Sequence, residues 1–482
     1  MATAPDPGLT HPKQTAGRFP LLAVVWPPLA GVLVAAVLAT LASRPFRAFD
    51  TYFHLRFGDE FRNGWSLAHP GQVSTASTND WAPTQWLPQI GMSWLADVFG
   101  DPGLVVLFAA LVSGFTAAVY LLVRRHAKPG TAVTLTAVVL LGCLPSLSLR
   151  PQVLSYVFLV AVLASWDLAR RTGRLPWWLV PLAWLWAASH GMWILGVGAS
   201  AVLAVAVCLE RRSTRPEVLR LVAIPAGMLL AACVTPVGPR LVSAILLVNA
   251  RGDHFVEWRA PELVTLAAAP VTVLLALSVL LLVRRDGVRP YDIALLGLGC
   301  VFAIYSNRTL PLALVVLALV VARELTALRQ ERGTRADTRP AGRRELAVVA
   351  ALAVGVVVLA PALPLRDVPA DEVRPFAGLL DDLPDETVVL TDRTIGAVLL
   401  WTDPGLDIPM HGYGDVYTDA ELNAYDDLFL LEPGWEDTLG DLDTHVALLP
   451  DDIPLAAALE ERGWSAVKKT NDLVYLTEPR TG

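Results

Sequence analysis

Eleven apolar stretches of 14 to 22 residues run through this chain, at 21–42, 103–123, 131–149, 152–168, 176–189, 191–209, 221–237, 263–283, 290–305, 308–322 and 346–364. A helix rises ~1.5 Å per residue, so crossing ~30 Å of hydrocarbon takes roughly 20 mostly apolar residues. Only a bundle of spanning helices uses that many such runs. Some are short, and those around 176–209 and 290–322 can be divided differently. The 54% hydrophobic and 17% charged content and the mean hydropathy of +0.51 are membrane values rather than globular ones. The first run has no clean small-residue cleavage site and reads as an uncleaved first helix. Cys143, Cys208, Cys233 and Cys300 all lie in apolar runs without metal-ligand or redox spacing, and read as packing residues.

The charges give the chain a direction. Loops 124–130, 169–174, 210–220, 284–289 and 323–345 carry 3, 3, 4, 3 and 7 Lys+Arg and are every second loop. Lys13 and Arg18 precede the first helix. This positive-inside alternation predicts a cytoplasmic N-terminus, and an odd number of helices then places the C-terminal part outside. Three parts result: a cytoplasmic tail, 1–20; a membrane helix bundle, 21–364, with a long first outer loop, 43–102; and an extracytoplasmic segment, 365–482. The first 364 residues hold 31 Lys+Arg against 19 Asp+Glu, whereas the remainder holds 7 against 26. Such an acidic surface excludes nucleic acid and anionic lipid as its partners. That segment alternates short strands (387–392, 445–450 and a hairpin over 465–475) with helices (394–401, 419–431, 453–463), which predicts a small α/β layer. The fold class expected is therefore mostly α, a polytopic bundle of about eleven transmembrane helices with a small C-terminal α/β domain.

The unusual polar residues fall in the outer loops: Asp50, His54, Asp59, Asp80, Arg150, His190, Asp253, His254, Glu257, Trp258 and Arg308. Their shared depth points to one extracytoplasmic site. If the run from Asp50 to Gly58 is helical, Asp50 and His54 form an i, i+4 pair on one face. A carboxylate hydrogen-bonded to an imidazole there is suited to take a proton from a hydroxyl; the alternative is an interfacial helix end whose charges face water. Arg150, in Arg150-Pro151-Gln152, and Arg308, in Asn307-Arg308-Thr309, offer forked donors to a phosphate, or else snorkel to headgroups. His190 sits at a tight helical turn. Glu257-Trp258 can pair a carboxylate with a sugar-stacking ring, although Trp is also the common interfacial anchor. Residues 86–99 read as a helix lying in the interface. There is no phosphate-cradling glycine loop, zinc-ligand spacing or nucleophile elbow. Asp441-Leu442-Asp443 looks like a metal-binding pair of nucleotide-sugar transferases but lies among acids throughout, and is discounted.

Taken together, these elements resemble the GT-C superfamily of membrane glycosyltransferases, in a bacterial branch, over nearly the whole chain. The resemblance rests on the run Asp50 to Gly58, the long outer loop, Arg150-Pro151-Gln152, His190-Gly191, Glu257-Trp258 and Arg308, in that order. It implies transfer of a hexosyl or pentosyl group from a polyprenyl-phosphate donor to an extracytoplasmic glycan, lipid or protein acceptor, at the bacterial inner membrane. Asp50 would be the base, steered by His54; Arg150, Arg308 and His190 would hold the donor phosphate; Asp80, Glu257 and Trp258 would bind the acceptor. The superfamily admits a divalent metal as cofactor, but no ligands for one are legible. This chain has Gln85-Trp86-Leu87 where that branch usually has Glu-Trp-Leu, and Ala188, Thr235-Pro236-Val237-Gly238 and His411-Gly412-Tyr413 at further points of departure. Which carboxylate catalyses stays open. The rival reading is a non-catalytic membrane scaffold that binds a glycan or a partner protein on the same fold.

Overall fold

A computed structural model describes residues 20–251, 254–332 and 340–479. Asp253 lies outside the described residues. Each of the eleven apolar runs becomes a helix. In chain order the membrane part comprises α1 (Pro20–Ala42), α2 (Asp50–Arg62), α3 (Trp86–Arg124), α4 (Pro129–Cys143), α5 (Gln152–Thr172), α6 (Leu179–Ser189) and α7 (Trp193–Arg211). It continues with α8 (Arg215–Cys233), α9 (Arg240–Ala250), α10 (Ala269–Val283), α11 (Pro290–Tyr305), α12 (Leu310–Glu331) and α13 (Arg343–Leu359). Among the described residues seven helical stretches are long and apolar enough to cross a membrane, and four apolar helices are shorter: Trp26–Ala42, Leu179–Ser189, Ala269–Val283 and Pro290–Tyr305. α9 corresponds to none of the expected runs. α3 is two helices joined at Gly100, whose φ of +61° is open to glycine at little cost. The arm before Gly100 is the expected interfacial helix; the arm after it is the expected span.

Packing follows hydropathy only in part. α12 and α13 are both apolar, yet Leu312 through Leu319 on α12 are fully buried, while Leu352 and Val358 on α13 are 64% and 69% exposed. α12 lies inside the bundle and α13 lies on its outer surface. One polar contact ties α13 down: Glu345 Oε1 accepts from Tyr120 Oη at 2.6 Å and Arg124 Nε at 2.7 Å, both on α3.

α2 packs against the first arm of α3 with no room to spare at Gly58, where an added methyl would overlap the Gln89 carbonyl. Gly58→Ala should therefore destabilise the chain by ~1–3 kcal/mol through overpacking. Gly91→Ala, with open space around it, should leave thermal melting in detergent unchanged. Equal melting of the two variants would show that α2 and α3 do not pack this way.

Beyond residue 368, β1 (Val389–Thr391), β2 (Val446–Pro450), β3 (Ser465–Lys469) and β4 (Leu473–Thr477) form one sheet in the order β1-β2-β4-β3. β1 and β2 run parallel, and the β4 pairings are antiparallel. Helices Arg393–Thr402, Asp419–Leu430 and Pro454–Glu461 fall where the sequence predicts them. The Asp392 carboxylate starts the first of these by accepting from the Ile395 N–H at 2.8 Å. The long crossover from β1 to β2 carries residues 403–426, which reach back to the first outer loop and to the segment after α9. There Thr75 N–H donates to Asp407 at 3.2 Å, Arg251 Nε meets Asp419 at 2.7 Å and His254 Nδ1 meets Asp426 at 2.7 Å.

Candidate functional site

Where that crossover meets the helix ends, a cavity of about 800 Å³ opens. It is lined by Asp50, His54, Arg150, His190, His254, Glu257, Trp258 and Arg308 among the residues picked from the sequence. Asp80 is not among them: it is largely exposed and pairs with Arg240 at 2.6 Å, away from the cavity.

Local structure explains how residues 100 apart meet. The Leu149 N–H donates to the Pro45 carbonyl at 3.2 Å, and Thr51 Oγ1 donates to the Leu149 carbonyl at 3.0 Å, stitching the start of α2 to the loop before α5. Ser148 Oγ accepts from Arg150 Nε at 2.9 Å and aims the guanidinium. Arg150 Nη1 then contacts Asp50 Oδ2 at 2.6 Å and Glu257 Oε1 at 2.8 Å. Across the cavity, the turn before α12 is held by the Ser306 N–H donating to Thr309 Oγ1 at 3.2 Å. The Asn307 N–H donates to the Arg259 carbonyl at 2.9 Å, bringing Arg308 beside the 257–258 segment. Arg308 Nε stands 3.6 Å from Glu257 Oε2, and its guanidinium lies over the Trp258 ring at 5.8 Å.

One expected contact is replaced. Asp50 and His54 share a wall, but Asp50 pairs with Arg150, and His54 Nδ1 is hydrogen-bonded to Gln89 Nε2 at 3.1 Å. The cause is tertiary: α3 presents an amide to His54 while the α5 loop presents a cation to Asp50. Trp258 lines the cavity and packs against Arg308 and, at 4.5 Å between ring centroids, Phe255.

His190 ends α6. Its Nδ1 accepts from the Met192 N–H at 3.3 Å and lies 3.1 Å from Ser155 Oγ, whose own acceptor role toward Trp186 Nε1 fixes its place. A ring nitrogen that accepts carries no proton, so the imidazole is neutral with its proton on Nε2. That Nε2 stands 3.4 Å from Arg308 Nη2. Two donors face each other with nothing to accept, and buried Arg308 Nε makes no hydrogen bond among the described residues. An anionic oxygen seated between them would satisfy both groups.

The carboxylates are differentiated by their surroundings. Burial pushes Asp50 above the usual carboxylate range, and the Glu257 charge adds to this against the pull of Arg150. Burial also works against the charge of Glu257, but Arg150 and Arg308 outweigh it and hold that group below its ordinary value. Burial, then Arg150 and Arg308, keeps His54 well below the ordinary imidazole value and uncharged. Groups whose environments push their titrations apart are the usual makings of acid–base chemistry.

Sequence reasoning missed the wall supplied from beyond β1. Tyr413, Gly414, Asp415 and Arg393 line the same cavity, as do Thr84 and Gln85. Arg251 Nη1 donates to the Gly414 carbonyl at 2.6 Å and Asn79 Nδ2 to the Asp415 carbonyl at 2.7 Å, clamping this strap onto the membrane part. The Asp415 carboxylate has no ion-pair partner among the described residues, is 8% exposed, and is pushed up to about 6 by burial, with Arg308 and Arg251 opposing. Nothing in the sequence distinguishes Asp415 from the other acids of that segment.

No family model and no curated protein matches this sequence. Among solved structures, the chain is similar to the Archaeoglobus fulgidus oligosaccharyltransferase tethered by a disulfide to an acceptor peptide containing the NVT sequon. The TM-score is 0.48 at 12% identity, covering 90% of this chain and 69% of that one. The same enzyme in complex with Zn and sulfate gives 0.47 at 14% identity, covering 87% and 68%.

Proposed function

We propose that this chain is a GT-C-type membrane glycosyltransferase, moving a sugar from a polyprenyl-phosphate donor to an extracytoplasmic acceptor hydroxyl. The observation that carries the reading is the cavity at the helix ends, where Arg308 and His190 turn unmatched donors toward one point. A phosphate supplies several acceptor oxygens to such a pair. In the same cavity Asp50 is raised by burial yet oriented by Arg150. In the step, Asp50 takes the proton of the acceptor hydroxyl as its oxygen bonds to the anomeric carbon. The bond from that carbon to the phosphate oxygen breaks, and the departing polyprenyl phosphate keeps the electron pair, its charge met by Arg308 and His190. Glu257 bridges Arg150 and Arg308 and is 46% exposed in its side chain, so it can turn aside when the donor phosphate enters. Among the described residues no three His, Cys, Asp or Glu side chains converge as a metal site would require. An open cavity joining a carboxylate to two arginines supports an enzyme over the scaffold reading, which calls for a filled outer face.

The test is lipid binding. Wild-type protein should retain polyprenyl phosphate on purification, read by mass spectrometry, and Arg308→Ala should bind it roughly 10- to 150-fold more weakly, the value of one charge-assisted contact at ~1.5–3 kcal/mol. Equal binding by both proteins would remove the phosphate from this place.

Asp415 supports a second assignment of the base within the same reaction, because its carboxylate has no ion-pair partner among the described residues while Asp50 is held by Arg150. A base that titrates near 6 is protonated, and idle, below that pH. Transfer would then fall as pH drops through about 6. Asp415→Asn should abolish transfer if Asp415 is the base; a variant that keeps both the rate and the acid limb returns the role to Asp50.

A further inference from the structure

A second cavity, of about 400 Å³, lies at the opposite ends of the helices that carry the first. α5 begins beside Arg150 and ends with Asp167, Arg170 and Arg171; α12 begins after Arg308 and ends past Arg323 and Glu324. At ~1.5 Å per residue the two ends of α5 stand roughly 30 Å apart. Six arginines line this cavity against three acids. They come from the basic loops that alternate along the sequence, but charges that only set topology would face water, and several of these do not.

Ion pairs neutralise the floor. Arg323 is held between two buried carboxylates, with Nη1 3.0 Å from Asp167 Oδ1 and Nε 2.8 Å from Asp292 Oδ1. Arg285 Nη1 meets Glu324 Oε2 at 2.9 Å. These pairs leave donors unused. Arg170 Nε makes no hydrogen bond among the described residues, although the side chain is only 10% exposed, and Arg285 Nε has only Glu331 Oε1, at 3.5 Å. At the rim, Arg125 has one 3.4 Å contact to the Ala164 carbonyl and no ion-pair partner among the described residues; Arg289 has none either. Forked guanidinium donors left without acceptors around one mouth suit an oxyanion that offers several oxygens.

The surroundings identify the source of that anion. The mouth is framed by the ends of membrane-crossing helices, and Leu168 and Val283, beside the lining arginines on α5 and α10, are 43% and 79% exposed. Apolar surface next to a basic pocket between helices is the arrangement that receives a headgroup and its acyl chains together. We propose that this cavity binds the phosphate of an anionic phospholipid headgroup, in the leaflet opposite the first cavity. The inference stands independently of the glycosyltransferase reading.

The test uses the full chain in detergent, with lipid binding read by native mass spectrometry. Phosphatidylglycerol should bind in preference to phosphatidylcholine, and excess inorganic phosphate should not displace it. Arg125→Gln/Arg289→Gln should weaken phosphatidylglycerol binding by roughly thirtyfold, about fivefold per arginine, without changing phosphatidylcholine binding. Both residues lie outside the ion-paired floor, so the variant should melt like wild type. Should it misfold, the single Arg289→Gln, at an exposed position, carries the same test with a fivefold loss. Equal affinity for the two lipids, or phosphatidylglycerol binding unmoved by the substitutions, would overturn the site. Displacement by inorganic phosphate would overturn the lipid as its source.

Discussion

Asp50→Asn should lower glycosyl transfer by at least ~100-fold, the low end of what a positioned general base contributes, while polyprenyl-phosphate binding stays near wild type. The amide keeps the shape of the carboxylate and can still meet Arg150, and Arg150 retains Glu257 at 2.8 Å, so the cavity wall should hold. The measurement is transfer of labelled sugar from a lipid-linked donor, with lipid binding followed on the same preparation. Retained transfer in Asp50→Asn together with lost transfer in Asp415→Asn would move the base to the crossover strap. Retained transfer in both would leave Glu257 as the remaining carboxylate of the cavity for the role, whereas no transfer by the wild type would favour the scaffold.

Arg323→Met should be the most destabilising single change in the membrane part. Arg323 joins α12 to α5 and α11 through Asp167 and Asp292, and those side chains are 0% and 2% exposed. Removing one partner of a buried ion pair strands the other charge, at ~3–5 kcal/mol. Some of that is recovered here. Arg171 remains 2.9 Å from Asp167, and Arg285 remains 3.2 Å from Asp292. A loss near ~3 kcal/mol is therefore expected, read as lower thermal melting in detergent and lower yield. Met fills similar volume, so a lost cavity contact would not account for it. Wild-type melting of Arg323→Met would mean the network contributes nothing to holding the helices together.

Several features of the fold are legible in the chain because their physical causes are local. Hydropathy over some twenty residues marks a helix whatever it later touches, and each apolar run became one. Strand and helix signals beyond residue 368 placed β1, β2 and the helices Arg393–Thr402 and Asp419–Leu430 within a residue or two, because alternation, Gly and Pro act on neighbours, but not the short helix Trp435–Asp441. The kink at Gly100 divides α3 at the boundary between the expected interfacial helix and the expected span. The depth of the polar residues was also legible. Asp50, Arg150, His190 and Arg308 each stand within two residues of a helix end, and helix ends follow hydropathy; Glu257 lies in the segment between α9 and α10.

Pairing was not legible, and the reason is geometric. His54 lies four residues from Asp50, yet its partner is Gln89 on α3; Asp50 instead meets Arg150, brought in by the Pro45, Thr51 and Leu149 contacts. Which face of α2 meets α3 depends on packing at Gly58, which no helical period encodes. Asp80 shares the loop and the composition of the site but is carried outside the cavity by Arg240. Asp415 enters it only because Arg251 and Asn79 clamp the crossover strap across more than 150 residues of chain. The basic loops show the same division. Their count along the sequence fixes an expected orientation, whereas only the convergence of α3, α5, α10, α11 and α12 gathers their arginines around one cavity. The sequence by itself determined a helical membrane body, a small α/β layer and the depth of the charges. The tertiary structure decided which charges meet, because an ion pair forms over a few ångströms in space and is indifferent to separation along the chain.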